Sequence, residues 1–174
     1  MRAFGESVNE RTMNRSPAHV ECVKQMDIRI AVSGEDIKAC FVVMRELRPH
    51  LSEREFLARV ELQSAAGYAL AAAWRDARPV AVAGYRVVEN LASGRILYVD
   101  DLVTLASERS KGHGAALLGW LKEKARALGC AQLQLDSGVQ RLDAHRFYER
   151  EGMTRSGYYF QMAVDRGASD VTAG

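Results

Sequence analysis

The sequence predicts an α/β chain, a mixed sheet with helices on its faces, and three observations carry that prediction. Hydrophobic periodicity switches from helical to alternating near residue 68 and back to helical near 112. Ser33 and Ser52 each stand three residues before an acid, Asp36 and Glu55, which marks two helix starts. A strand, a glycine turn, a helix and a second strand then follow in direct succession over 96–135, the pattern of a parallel pair joined by a right-handed crossover.

The elements follow in order. Asp27–Val32 reads as a first strand, and Ser33 opens a helix with Ile37, Cys40, Phe41 and Met44 on one face. Ser52 opens a second helix over about 53–65, with Phe56 and Val60 inward. Three strand-like runs, 68–74, 80–88 and 95–104, are rich in Val, Ala, Tyr and Ile, and the breaks RDARP and ENLASG are short enough for antiparallel hairpins. A helix over about 112–128 carries Leu117, Trp120, Leu121 and Leu128 on its apolar side and stops at Gly129. An alternating strand over 131–135, a helix over about 141–151 ending at Gly152, and a last strand over 157–164 complete the order β-α-α-β-β-β-α-β-α-β.

The chain of 174 residues, 48% hydrophobic and 26% charged, fits one domain over 26–166, with residues 1–25 a loose N-terminal extension and 167–174 a loose tail. A net charge of +2 argues against a bulk electrostatic grip on nucleic acid, and no basic stripe is interleaved with aromatics. Neither a run of about 20 apolar residues nor a secretory leader is present, so a cytoplasmic location away from membranes is expected. Cys22, Cys40 and Cys130 are widely spaced and lack Cys/His partners, so they read as reduced structural thiols and no metal site is expected.

The most informative segment is ERSKGHGAALLGWLKEKARAL, residues 108–128, where a cationic glycine turn meets a helix start. A helix start presents unpaired N–H groups and partial positive charge, so it suits phosphate when no side chain obstructs the approach. Gly112 and Gly114 remove that obstruction, and Arg109 and Lys111 add charge. Neither the GxxxxGK[ST] nor the GxGxxG pattern is present, and a plain strand-to-helix turn is the competing reading.

Arg109-x-x-Gly112-x-Gly114, after the strand YVDDLVT and before AHRFYEREGM, resembles the acyl-CoA motif of the GCN5-related N-acetyltransferase (GNAT) superfamily. The likeness spans most of 27–164 and implies that superfamily's fold, with acetyl-CoA as acyl donor and an amine on a small molecule or peptide as acceptor. It places the pyrophosphate at Arg109, Ser110, Lys111, Gly112, His113, Gly114 and Ala115, and the pantetheine arm against the backbone of Leu102, Val103 and Thr104. Arg141 stands three before Ala144, where many members carry an Asn near the pantetheine, so Arg141 and Ala144 occupy that place. Met153 replaces the usual aromatic after Gly152, a packing change methionine accommodates. A homodimer through late strands is among the arrangements the resemblance implies.

Acyl transfer to an ammonium requires removal of one proton and delivery of another to the leaving thiolate. Tyr148, in the position of the family's Phe-Tyr-Glu tyrosine, is the acid candidate, against a plain inward aromatic. Asp100 and Asp101, costly inside the apolar run ILYVDDLVT, are the base candidates; the Ile-Glu-Asp segment of glucosamine-phosphate-type members favours Asp100, acting through water. Alternation sends the two aspartates to opposite faces, and a structural ion pair is the competing reading. His113 and His145 read as exposed, Trp74 and Tyr85 as core aromatics, and Asp136-Ser137-Gly138 as a turn near the acyl end. The resemblance also implies that 33–66 forms a lid over the acceptor, which makes Glu46, Arg48 and His50 specificity candidates. A second function fits the same motifs, a non-catalytic acyl-CoA sensor.

Overall fold

The computed structural model describes residues 26–164. Strand β1 (Asp27–Ile30) is followed by helices α1 (Gly34–Met44) and α2 (Glu53–Ser64), then by strands β2 (Ala69–Arg75), β3 (Arg78–Asn90) and β4 (Gly94–Thr104). A 3-10 turn at Ala106–Glu108 leads into helix α3 (His113–Ala127), strand β5 (Gln132–Leu135) and helix α4 (Leu142–Arg150). The five strands lie in chain order, antiparallel from β1 to β4 and parallel between β4 and β5. Nine of the ten expected elements are therefore present in the expected order.

Local chemistry explains the helix starts. The Ser33 side chain accepts from the Asp36 amide, and Ser52 with Glu55 forms a complete capping box. The β2–β3 hairpin turns through Asp76 and Ala77, both at positive φ, and Pro79 sits just inside β3.

The sheet separates two apolar layers. On one side Cys40, Val43, Phe56 and Val60 of α1 and α2 pack on Leu70, Ala72, Val82 and Val103. On the other, Leu117, Leu121 and Ala125 of α3 pack on Ala71, Ala81, Ala83, Leu97 and Val99. The run of alanines through β2 and β3 lets both helical layers approach a thin sheet centre. Trp74 and Tyr85 are buried in these layers, as read from the sequence, and Cys40 is fully buried, where desolvation pushes its thiol up to about 12.

One expectation fails. No strand follows α4 among the described residues: 157–164 has no ladder partner, and Tyr158, Tyr159, Phe160, Met162 and Val164 are exposed. The segment borders the same cleft as β5 without pairing with it, and a strand needs a neighbour for its N–H and C=O groups. The expected N-terminal extension over 1–25, the expected tail over 167–174 and Cys22 lie outside the described residues. No helix among the described residues is long and apolar enough to cross a membrane.

Candidate active site

The glycine turn enters α3 without a side-chain cap. Gly112 is the N-cap at φ +83°, and no side chain bonds the first amides of this 15-residue helix, whereas α1 and α2 are each closed by a serine. The start of α3 thus keeps its amide donors free of any side-chain cap, with its dipole unshielded there. Gly112 is required by its left-handed backbone, but Gly114 has a second reason: a Cβ there would meet Thr104 Oγ1 at 3.3 Å and the Phe147 ring at 3.5 Å. Ser110 also sits at φ +61°, strain held inside the turn.

The turn is anchored from below. Glu108, buried, accepts from Arg75 (2.6 Å) and Lys111 Nζ (3.1 Å), and its carboxylate lies 3.2 Å from His113 Nε2. Burial alone would raise this carboxyl, but the hydrogen bonds from Lys111, His113 and Arg75 outweigh it and hold Glu108 below the usual range. His113 is therefore not an exposed loop residue as expected; it is buried, because Glu108 supplies the partner that makes its burial tolerable. Lys111 is drawn toward Glu108 and the Ser107 carbonyl, which leaves Arg109, exposed and with only 3.5 Å contacts to Glu46 and the Thr104 carbonyl, as the less engaged cation of the turn.

Next to the turn, β4 loses its outer neighbour. Leu135, the last residue of β5, pairs with Val99, so the stretch through Leu102, Val103 and Thr104 continues with no strand beyond it among the described residues. That exposed backbone edge leads directly to the uncapped helix start.

The two aspartates do not alternate. The β3–β4 register steps from Tyr85↔Val99 to Gly84↔Asp101, so Asp100 is the extra residue of a β-bulge. Val99 faces the α3 layer and Val103 the α1/α2 layer, and the extra residue puts Asp100 and Asp101 together on the α1/α2 side, correcting the expectation of opposite faces. Arg86 Nε donates to Asp100 Oδ2 (2.9 Å), and its other arm reaches Gln63. Arg48 donates to Asp101 Oδ1 (2.9 Å), and the Tyr68 hydroxyl to Asp101 Oδ2 (3.2 Å). Both oxygens of Asp101 are thus engaged, while Asp100 Oδ1 takes no hydrogen bond from a described residue. Burial, then Asp101, raises the Tyr68 pKa, so this phenol remains a donor.

Sequence reading missed Tyr68, Gly84, Arg86 and Gln63, since each acts through a partner distant in the chain. Gly84 carried a signal, a glycine inside a strand, which marks a bulge or a close approach. A Cβ at Gly84 would lie 1.9 Å from the Tyr68 hydroxyl. Gly84→Ala is therefore expected to displace Tyr68 from Asp101 and to cost about 1–3 kcal/mol, read as a lower urea midpoint at unchanged m-value.

Tyr148 lies on α4 with its ring edge-on to Phe147 (5.3 Å between centroids), and its hydroxyl has no partner among the described residues. Burial raises its pKa, so the proton is held firmly. Asp100, Asp101, Tyr148 and Ala115 all line one open cleft of about 1940 Å³, which also takes in Arg48 and His50 from the connection between α1 and α2. His145 lines it too, half-buried rather than exposed. At its far side Tyr98 donates a short hydrogen bond to Asp136, and Ser137 Oγ is buried without a partner. Arg141 is the exposed N-cap of α4 and makes no capping bond, while Ala144 is half-buried one turn before Tyr148.

With this geometry in place, the family can be read. The family model described as "Acetyltransferase (GNAT) family" matches residues 35–153, the span from α1 through α4. The chain belongs to the GNAT family. An uncharacterized N-acetyltransferase of Bacillus subtilis, YhdJ, is 36% identical over 134 residues, 76% of this chain and 94% of that protein. The aminoalkylphosphonate N-acetyltransferase of Salmonella typhimurium is 39% identical over 66 residues, 38% of this chain and 43% of that protein. The aminoglycoside N-acetyltransferase AAC(6')-Iy, solved in complex with CoA, superposes with a TM-score of 0.71 over 80% of this chain and 94% of its own, at 17% identity, which establishes a common GNAT fold.

Proposed function

We propose that this GNAT protein transfers an acetyl group from acetyl-CoA to a primary amine by direct attack. The observation that carries the proposal is the uncapped start of α3 beside the open edge of β4. The α3 amides and Arg109 would hold the pyrophosphate, and the backbone of Leu102, Val103 and Thr104 would pair with the pantetheine amides. The thioester supplies an activated carbonyl, so no protein nucleophile is needed. The amine nitrogen bonds to the carbonyl carbon and the C–S bond breaks. Before attack the ammonium loses a proton toward Asp100 Oδ1, directly or through water; the Tyr148 hydroxyl delivers a proton to the departing sulfur, and the second nitrogen proton, released as the amide forms, restores the phenol. Asp101, saturated by Arg48 and Tyr68, holds the wall of the acceptor cleft. The free hydroxyl of Tyr148 and the free oxygen of Asp100 favour an enzyme over a sensor.

The test is thiol release from acetyl-CoA against a panel of aminoalkylphosphonates, aminoglycosides, polyamines and peptides. On the preferred acceptor, Asp100→Asn is expected to lower kcat/KM about 100-fold, while Asp101→Asn lowers thermal stability and affects turnover less. Unchanged turnover in Asp100→Asn removes it as base. Tight CoA binding with no turnover on any amine replaces the enzyme with the sensor.

A further inference from the structure

The charges on the wall of the cleft built by α2, β4 and the connection before α2 do not balance. Both carboxylates there are neutralised: Arg86 pairs with Asp100 (2.9 Å) and Arg48 with Asp101 (2.8 Å). One cation is left over. Arg59, on the exposed side of α2, lines the cleft, and its guanidinium has no hydrogen bond or salt bridge to a described residue. Glu55, one turn before it, is bound instead to the Ser52 amide and hydroxyl. Arg48 is itself only partly used: Nε donates to Asp101 and Nη2 to the Asp100 carbonyl, so Nη1 has no acceptor among the described residues, and the side chain is 42% exposed.

Both cations belong to the surroundings of Asp100. Arg48 Nη2 is 3.3 Å from the Asp100 carbonyl oxygen, and Arg59 stands one helical turn before Gln63, which is tied through Arg86 to the Asp100 carboxylate. An ammonium held at Asp100 Oδ1 therefore has guanidinium groups within a short reach, and a second ammonium on the same molecule would meet them as a like charge. Given the transfer reaction proposed above, we propose that the acceptor is a short amine bearing an anionic group, a carboxylate or phosphonate a few bonds from the nitrogen, taken by Arg59 and by Nη1 of Arg48. Arginine suits this task, because its planar fork donates two parallel bonds to such an oxyanion. A polyamine does not fit, since of the four carboxylate oxygens of Asp100 and Asp101 only Asp100 Oδ1 takes no hydrogen bond from a described residue.

The test compares acceptors matched in size, β-alanine and aminoethylphosphonate against propanolamine and propanediamine, by thiol release from acetyl-CoA. The value of kcat/KM is expected to be roughly 10- to 100-fold higher for the anionic acceptors than for propanolamine, and lowest for the diamine. Arg59→Gln should reduce that preference about 10-fold through the KM of the anionic acceptor, and Arg59→Glu should turn it toward the diamine; the position is exposed, so neither change threatens the core. A wild-type preference for propanolamine or the diamine overturns the proposal and leaves the transfer reaction standing. So does a preference for the anion that both Arg59 variants retain in full. Thiol release with no amine overturns the transfer reaction instead, and calorimetric titration of aminoethylphosphonate into CoA-saturated protein then decides the anion site: binding that weakens about 10-fold in Arg59→Gln upholds it, and no binding, or equal binding in the variant, overturns it as well.

Discussion

Replacing Gly112 and Gly114 by aspartate is expected to lower the affinity for CoA by at least about 100-fold, on the order of 3 kcal/mol. At position 112 an aspartate would place a fixed negative charge beside the amides that α3 leaves open, where the pyrophosphate is proposed to sit. At 114 the new side chain would also press on Thr104 and Phe147, tying the loss to the seating of α3 on β4 and α4. Gly112→Asn separates the causes. It has the same size, tolerates a left-handed backbone and lacks the charge, so it should lose much less affinity than Gly112→Asp. Calorimetric titration of CoA into each variant reads the difference, and equal affinity in wild type and Gly112→Asp would move the phosphate site away from this turn.

Tyr148→Phe is expected to lower kcat about 100- to 1,000-fold while leaving CoA affinity unchanged. The ring keeps its edge-on contact with Phe147, and the hydroxyl it loses has no partner among the described residues, so little structure is disturbed. The pH dependence has a definite sign. Burial raises the Tyr148 pKa above the usual value of 10, so the acid form persists to higher pH and this group imposes no alkaline fall in kcat below about pH 10. A fall that appears at lower pH and survives in Tyr148→Phe belongs to another group. Wild-type turnover in Tyr148→Phe would reduce the residue to a packing aromatic.

The helices are legible in the sequence because their determinants lie within a few residues. Ser52 and Glu55 meet across one turn, and the cap geometry the sequence implies is the one observed. The glycine turn was legible as well, since only glycine accommodates the Gly112 backbone cheaply. His113 was misread because its burial depends on Glu108 and Arg75, and Arg75 is 33 positions from Glu108. The aspartates were misassigned because alternation assumes an unbroken ladder, and the bulge opposite Gly84 and Tyr85 breaks it at Asp100.

Taken alone, the sequence determined the helices and strands from β1 to α4, the order in which they occur and where an uncapped helix start meets a strand, because periodicity, caps and turn residues act over a few positions. Tertiary structure decided which carboxylate keeps a free oxygen, which tyrosine is locked to Asp101 and which is left unpaired, and whether 157–164 finds an edge. Those outcomes depend on register and on neighbours 14 to 53 residues away, such as Arg86 for Asp100 and Arg48 for Asp101, and no local pattern encodes the distance between them.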